Sequence, residues 1–208
     1  MPLLPDPHPF DAKAADWDSP VHVERAIAVA RSIRSAVPVT RATRVIEVGA
    51  GTGLLARALA PHVGSVLITD PSTGMLRVAD EALAAHGITN ARTRRFDLGA
   101  DPVPGERFDL AVSLMALHHV LDTDAALARL AALLEPGGWL AVADLDAEDG
   151  SFHVDPEERA IVLPGYDRDQ LGARAVATGF VDVAFSDVWQ IPKNDRVYQV
   201  FLLVARRP

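Results

Sequence analysis

Between residues 44 and 143 the chain switches repeatedly between two hydrophobic periods, and this alternation constrains its fold more than any other feature. Short β-branched runs stand at 44–48, 65–69, 92–96, 108–113 and 139–143. Helically spaced stretches separate several of them, at about 54–62, 74–86 and 122–134. Strands separated by helices pair in parallel through right-handed crossovers, which cover the sheet on both faces. The expected fold is therefore α/β: a doubly wound, mostly parallel seven-stranded sheet of Rossmann-like form. Gly87 closes one helical stretch, and Pro136-Gly137-Gly138 predicts a turn before the strand at Trp139.

The flanks read differently. Pro2, Pro5, Pro7, Pro9 and Pro20 prevent a continuous helix over the first twenty residues, which predicts an extended arm carrying Phe10 and Trp17. Helical spacing follows from Pro20 to about Ala36. Near the other end Asp167 reads as an N-cap, 169–178 as a helix and Gly179 as its stop. Two β-rich runs, 181–191 and 197–205, flank Pro192-Lys193-Asn194-Asp195, which signals an antiparallel C-terminal hairpin near the sheet edge. The expected organisation is one domain over 1–208. It comprises an N-terminal arm and helix cover (arm 1–20), a cofactor-binding core (21–146) and an acceptor-side segment with the hairpin (147–208).

Composition excludes several function classes. The 28 acidic against 20 basic residues give a formal charge of −8, so a nucleic acid is not an expected partner. No apolar run reaches the roughly 18 residues of a membrane helix, and residues 1–10 lack the pattern of a secretory signal. A cytoplasmic protein without membrane insertion is expected. Absence of cysteine removes disulfides, thiolate metal sites and cysteine nucleophiles. With Lys13 and Lys193 as the two lysines, phosphate-loop and Schiff-base chemistry have little to work with.

The most informative segment is Glu47-Val48-Gly49-Ala50-Gly51-Thr52-Gly53, a strand running through glycines into a helix. Glycines allow a tight turn and close approach of backbone to a ligand, and the following helix directs free N–H groups to the same place. A dinucleotide fingerprint wants a glycine where Leu54 stands, and the Gly-Lys-Ser/Thr of a phosphate loop is missing. Glu47 would repel a pyrophosphate but could hold an ammonium group, directly or through water. Asp70 ends the second strand at the spacing suited to a ribose diol, or serves as a turn aspartate; Asp97 follows the third and could accept from an adenine amino group. Three carboxylates at successive strand ends suit an adenosine with a cationic amino-acid tail better than one with phosphates.

That description is S-adenosylmethionine, and the chain resembles the class I S-adenosylmethionine-dependent methyltransferases. The nearest likeness is to the small type 11 kind seen in ubiquinone/menaquinone-type and many natural-product enzymes. The matching segments run in family order over roughly residues 40–146. They are Glu47 to Gly53, Asp70-Pro71-Ser72-Thr73-Gly74-Met75-Leu76, Phe96-Asp97-Leu98, Phe108-Asp109-Leu110 with Leu117-His118-His119, and Leu134-Glu135-Pro136-Gly137-Gly138. The resemblance implies that Glu47 with Gly49, Ala50, Gly51, Thr52 and Gly53 holds the methionine end of the donor. It implies that Asp70, beside Pro71, takes the ribose hydroxyls, that Asp97 and Leu98 meet the adenine, and that Met75 packs on it. Met115 would line the donor pocket, while the arm with Phe10 and Trp17 would close over it. S-adenosylhomocysteine would be the product.

Methyl transfer is an in-line displacement that alignment and desolvation can drive without a nucleophilic residue. A base is useful when the acceptor carries a proton, and His118, His119 and His153 lie where an acceptor should bind. One of His118 and His119 is expected to be structural, with His118 preferred as the pocket residue. Tyr166 and Trp189 could frame a planar acceptor but read more simply as packing residues. No metal is expected, since the acids near His118 and after the fifth strand read as helix-start and strand-end residues. Arg92, Arg94 and Arg95 alternate faces on a strand and read as a solvated edge. The expected partner is a small-molecule acceptor. The competing readings are a non-catalytic binding protein of the same shape and a nicotinamide-dependent oxidoreductase, which Leu54 and Glu47 disfavour.

Overall fold

A computed structural model describes residues 8–153, 162–193 and 195–208. Among these residues seven strands form one sheet in the order β3-β2-β1-β4-β5-β7-β6. They are β1 (Arg44–Val48), β2 (Ser65–Asp70), β3 (Ala91–Arg95), β4 (Phe108–Leu114), β5 (Leu134–Leu145), β6 (Val181–Lys193) and β7 (Arg196–Arg206). Strands β1 to β5 pair in parallel, and β7 pairs antiparallel with both β5 and β6. The helices are α1 (Pro20–Ala36), α2 (Leu54–Leu59), α3 (Thr73–Ala85), α4 (Thr123–Leu133) and α5 (Arg168–Ala177).

The central strands are apolar on both faces because helices cover both. Val45, Val66, Ile68, Leu110 and Val112 pack with Val29 and Ile33 of α1, Leu55 and Leu59 of α2 and Ala79 of α3. Their chain neighbours Ile46, Leu67 and Ala111 point the other way, to Leu127 and Leu130 of α4 and Leu171 of α5. The period of two along each strand thus divides one continuous apolar run between two cores. Helix starts follow from local chemistry: Ser72 and Asp122 accept from Met75 N and Ala125 N at 3.0 and 2.9 Å. Asp167 caps α5 through Gln170 N, as its sequence predicts.

Two expectations need correction. The arm is not extended throughout, because Asp11–Asp16 forms a 3-10 helix. The glycine pair after Pro136 does not precede β5 but lies within it. Leu134 pairs with Phe108 and Trp139 with Leu110, so the intervening residues loop out as an irregularity of one long strand. The C-terminal hairpin lies at the sheet edge as expected, with β7 antiparallel between β5 and β6 and β6 outermost. The arginines of β3 do form a solvated edge, Arg92 and Arg94 pairing with Glu106 and Arg95 with Asp101. No helix among the described residues is long and apolar enough to cross a membrane.

Candidate functional site

The sheet order reverses between β1 and β4, and the crevice outside the carboxyl ends of these strands is where open α/β sheets bind ligands. A cavity of about 340 Å3 occupies this position. Glu47, Gly49, Ala50, Gly51, Asp70, Pro71, Met75, Asp97, Leu98 and Met115 all line it, with Phe10 and Trp17 from the arm.

The turn after β1 is shaped by its contacts. Gly49 has φ +66°, and a Cβ built on it would stand 2.4 Å from the Ala116 Cβ. Both the backbone conformation and the space exclude a side chain there. Gly49→Ala is expected to lower unfolding stability by at least about 2 kcal/mol, through strain and overpacking together. A denaturant titration would measure it, and an unchanged midpoint would refute the assignment.

Asp70 braces the same turn from β2. Its Oδ2 accepts from Gly51 N at 2.7 Å and its Oδ1 from Ser72 N at 2.8 Å. Burial pushes the carboxyl up to about 6 against these two N–H groups. Glu47 is more enclosed, at 1% exposure, and accepts from Ala56 N of α2 at 2.8 Å. Burial raises it to about 8, so in the empty cavity it is largely protonated at neutral pH. Asp97 is half-buried and accepts from Gly99 N at 2.7 Å. Met115 has φ +54°, an uncommon conformation for a side-chain-bearing residue, at the end of β4 in the cavity wall.

Two aspartates to which the sequence assigned no role of their own tether the arm. Asp11 Oδ1 accepts from Ser72 Oγ at 2.5 Å and from Gly74 N at 2.9 Å, joining the arm to the start of α3. Asp18 accepts from Thr52 Oγ1 at 2.5 Å and pairs with Arg57 of α2. Thr52 and Gly53 therefore belong to the frame of the turn: Thr52 holds the arm, Gly53 is the N-cap of α2, and neither lines the cavity. Phe10 stands edge-on to both Trp17 and His119, with ring centroids 5.8 and 5.3 Å apart.

A third missed residue is Arg25 of α1. It lines the cavity at 9% exposure, and its Nε is buried without a hydrogen-bond partner. Burial lowers its pKa, with Asp144 acting in the opposite direction. A guanidinium-bearing residue in a cavity wall is suited to an anionic group of a ligand.

The histidines come together, but not in the arrangement preferred from sequence. His119, not His118, lines the larger cavity. His118 is 1% exposed, with Nδ1 2.6 Å from Asp144 Oδ1 on β5. Asp144 also accepts from Leu145 N and His118 N. Burial pushes its carboxyl upward, yet His118 and the two backbone N–H groups outweigh that and hold it below its ordinary value. His153 approaches from the segment after β5, its Nε2 3.3 Å from His118 Nε2, and lines a separate cavity of about 170 Å3. The three rings offer nitrogens all within 4.8 Å of one another, the metal-capable group found among the described residues. Tyr166 is buried against Phe201, a packing role; Trp189 is a partly buried neighbour of the first core.

Residues 45–138 match the family model described as a methyltransferase domain. An uncharacterized methyltransferase of Mycobacterium tuberculosis is 42% identical over 98 residues, covering 47% of this chain and 48% of the relative. A ubiquinone biosynthesis O-methyltransferase of Rhodopseudomonas palustris is 32% identical over 113 residues, covering 52% and 42%. The chain thus spans about half the length of these curated relatives, or less. Among solved structures, a Haemonchus contortus phosphoethanolamine N-methyltransferase in complex with S-adenosylhomocysteine superposes with a TM-score of 0.73 at 20% identity. That match covers 89% of this chain and 52% of the other.

Proposed function

We propose that this chain, whose fold is that of the class I S-adenosylmethionine-dependent methyltransferases, transfers the donor's methyl group to a small-molecule acceptor. One observation carries this reading: Glu47, Asp70 and Asp97, from three successive strand ends, meet around one cavity against the glycine turn. In the proposed complex Asp70 accepts from the ribose hydroxyls and Asp97 from the adenine amino group, with Met75 and Leu98 against the ring. Glu47 and the turn at Gly49 to Gly51 take the ammonium end of the donor. Arg25, in the wall of the same cavity, takes the methionine carboxylate.

The acceptor's lone pair attacks the sulfonium methyl in line with the breaking C–S bond. The bonding pair passes to sulfur, leaving S-adenosylhomocysteine. Phe10 and Trp17 cover the site and help exclude water. His119 lines this cavity and, with His118 and His153, assists loss of the acceptor's proton. The motif set quoted above supports placing the chain with the small type 11 enzymes, and the O-methyltransferase likeness supports an oxygen acceptor. A cytoplasmic metabolic role fits the acidic balance.

Calorimetric titration with S-adenosylhomocysteine tests the donor site, and an acceptor panel with labelled donor tests transfer. Failure of the purified protein to bind either donor or product would remove the reading. Arg25→Gln is expected to weaken S-adenosylhomocysteine binding by roughly tenfold or more, the worth of one charge-assisted hydrogen bond. Unchanged affinity would show that the carboxylate sits elsewhere.

A further inference from the structure

We propose that His118, His119 and His153 form a zinc site at the wall of the donor cavity. The nitrogens converge, and the ring centroids lie 4.3, 5.3 and 5.5 Å apart. The 3.3 Å between His118 Nε2 and His153 Nε2 matches two ligands of one tetrahedral ion. Two Zn–N bonds of about 2.0–2.1 Å at the tetrahedral angle span about 3.3–3.4 Å.

The surroundings fit a ligand set rather than three packed rings. Asp144 accepts from His118 Nδ1 at 2.6 Å, so that nitrogen carries the proton and Nε2 presents its lone pair to the other two histidines. A carboxylate behind the far nitrogen is the usual support of a metal-bound imidazole, and here it is completely buried. Three neutral imidazoles select a borderline transition ion over magnesium or calcium, which prefer oxygen ligands. Among the described residues of the same loop, Glu148 accepts from Ser151 N and Phe152 N, and Asp149 pairs with Arg196.

Three histidine ligands are a set used by catalytic zinc, which takes its fourth ligand from water or substrate. His119 lines the donor cavity and His153 the smaller one, so the cluster stands between them. The substrate ligand suited to such an ion is a hydroxyl or enol oxygen of the acceptor. On zinc that oxygen releases its proton to water more readily, and it keeps the pair that forms the O–CH3 bond as the C–S pair passes to sulfur. This role rests on the methyltransferase reading; zinc binding itself does not.

The test uses the full chain without a histidine tag, stripped by chelator and titrated separately with Zn2+ and Co2+. One ion per chain is expected, with the intense visible absorption of tetrahedral cobalt. His153→Ala and His119→Gln should each remove stoichiometric binding, and Asp144→Asn should weaken it by roughly 10- to 100-fold. His153 is half-buried, so its variant keeps the test valid even where replacement of buried His118 impairs folding. Absence of stoichiometric binding, an octahedral cobalt spectrum, or binding unaffected by His153→Ala would overturn the site. S-adenosylhomocysteine titration of the same metal-free sample separates the two ideas. Donor binding without zinc binding refutes the metal site alone, and zinc binding without donor binding refutes the methyltransferase reading alone.

Discussion

Asp70→Ala is expected to weaken S-adenosylhomocysteine binding by roughly a hundredfold or more, measured by calorimetric titration. Two hydrogen bonds from ribose hydroxyls to an ionised carboxylate are worth about 1.5–3 kcal/mol each, and 1.4 kcal/mol is about tenfold in affinity. The side chain has a second task that enlarges the effect. Its oxygens hold Gly51 N and Ser72 N, so its removal also loosens the turn that faces the ligand. Asp70→Asn separates the two contributions. It keeps the shape and one acceptor oxygen while losing the charge, and should fall between the parent and the alanine variant. Equal affinity in Asp70→Ala and the parent would mean that the ribose lies elsewhere and that Asp70 serves only the turn.

Asp70 was readable from sequence because it follows a β-branched run, and Glu47 because it stands in one just before the glycine turn. For strands β1 to β4 the run itself specifies the element, whereas the reversal of strand order around β1 is set by tertiary packing. Pairing partners of the hairpin are a different matter. Nothing local in 196–206 states that β7 will insert beside β5, since that choice is made by tertiary contacts of Phe201 and Leu203 with the second core. The arrangement of His118 and His119 escaped for a geometric reason. They lie in the 3-10 turn Leu117–His119, where successive side chains diverge by about 120°, so one residue of slip exchanges them. Arg25 escaped because a charge on a helix is ordinarily solvated. Its position was nonetheless marked: Val29 and Ile33 follow at four-residue intervals and are both fully buried. A charge in line with such a stripe points into the protein, and that periodicity was available before any coordinates. The tethers at Asp11 and Asp18 carried no comparable signal, because their partners lie dozens of residues away.

Binding of S-adenosylhomocysteine should tighten as pH rises towards about 8 and should release close to one proton at neutral pH. The cause is Glu47, which burial raises from 4.5 to about 8 in the empty cavity. A neutral carboxyl is a poor partner for the ligand's ammonium, and the ammonium in turn favours the ionised form, so the two events are coupled. Binding that expels a proton strengthens by up to about tenfold per pH unit below the pKa of the empty site and levels off above it. Folding runs the other way. Because the folded pKa lies above the unfolded value, the empty protein holds an extra proton between about 4.5 and about 8. The Glu47 contribution to stability is fully present below that window and is lost as pH rises through it. Ligand-induced thermal stabilisation should therefore grow with pH over the same range in which the unliganded Tm declines. Asp70, raised to about 6, acts in the same sense at lower pH, so Glu47→Gln is the decisive comparison. The variant should bind more weakly at pH 8 and show a flatter profile above about 6, with little proton release near neutrality. Calorimetry in two buffers of different ionisation enthalpy measures the released proton directly. Identical heats in both buffers for the parent protein would show that Glu47 does not change charge, and the ammonium would then have to be sought away from it.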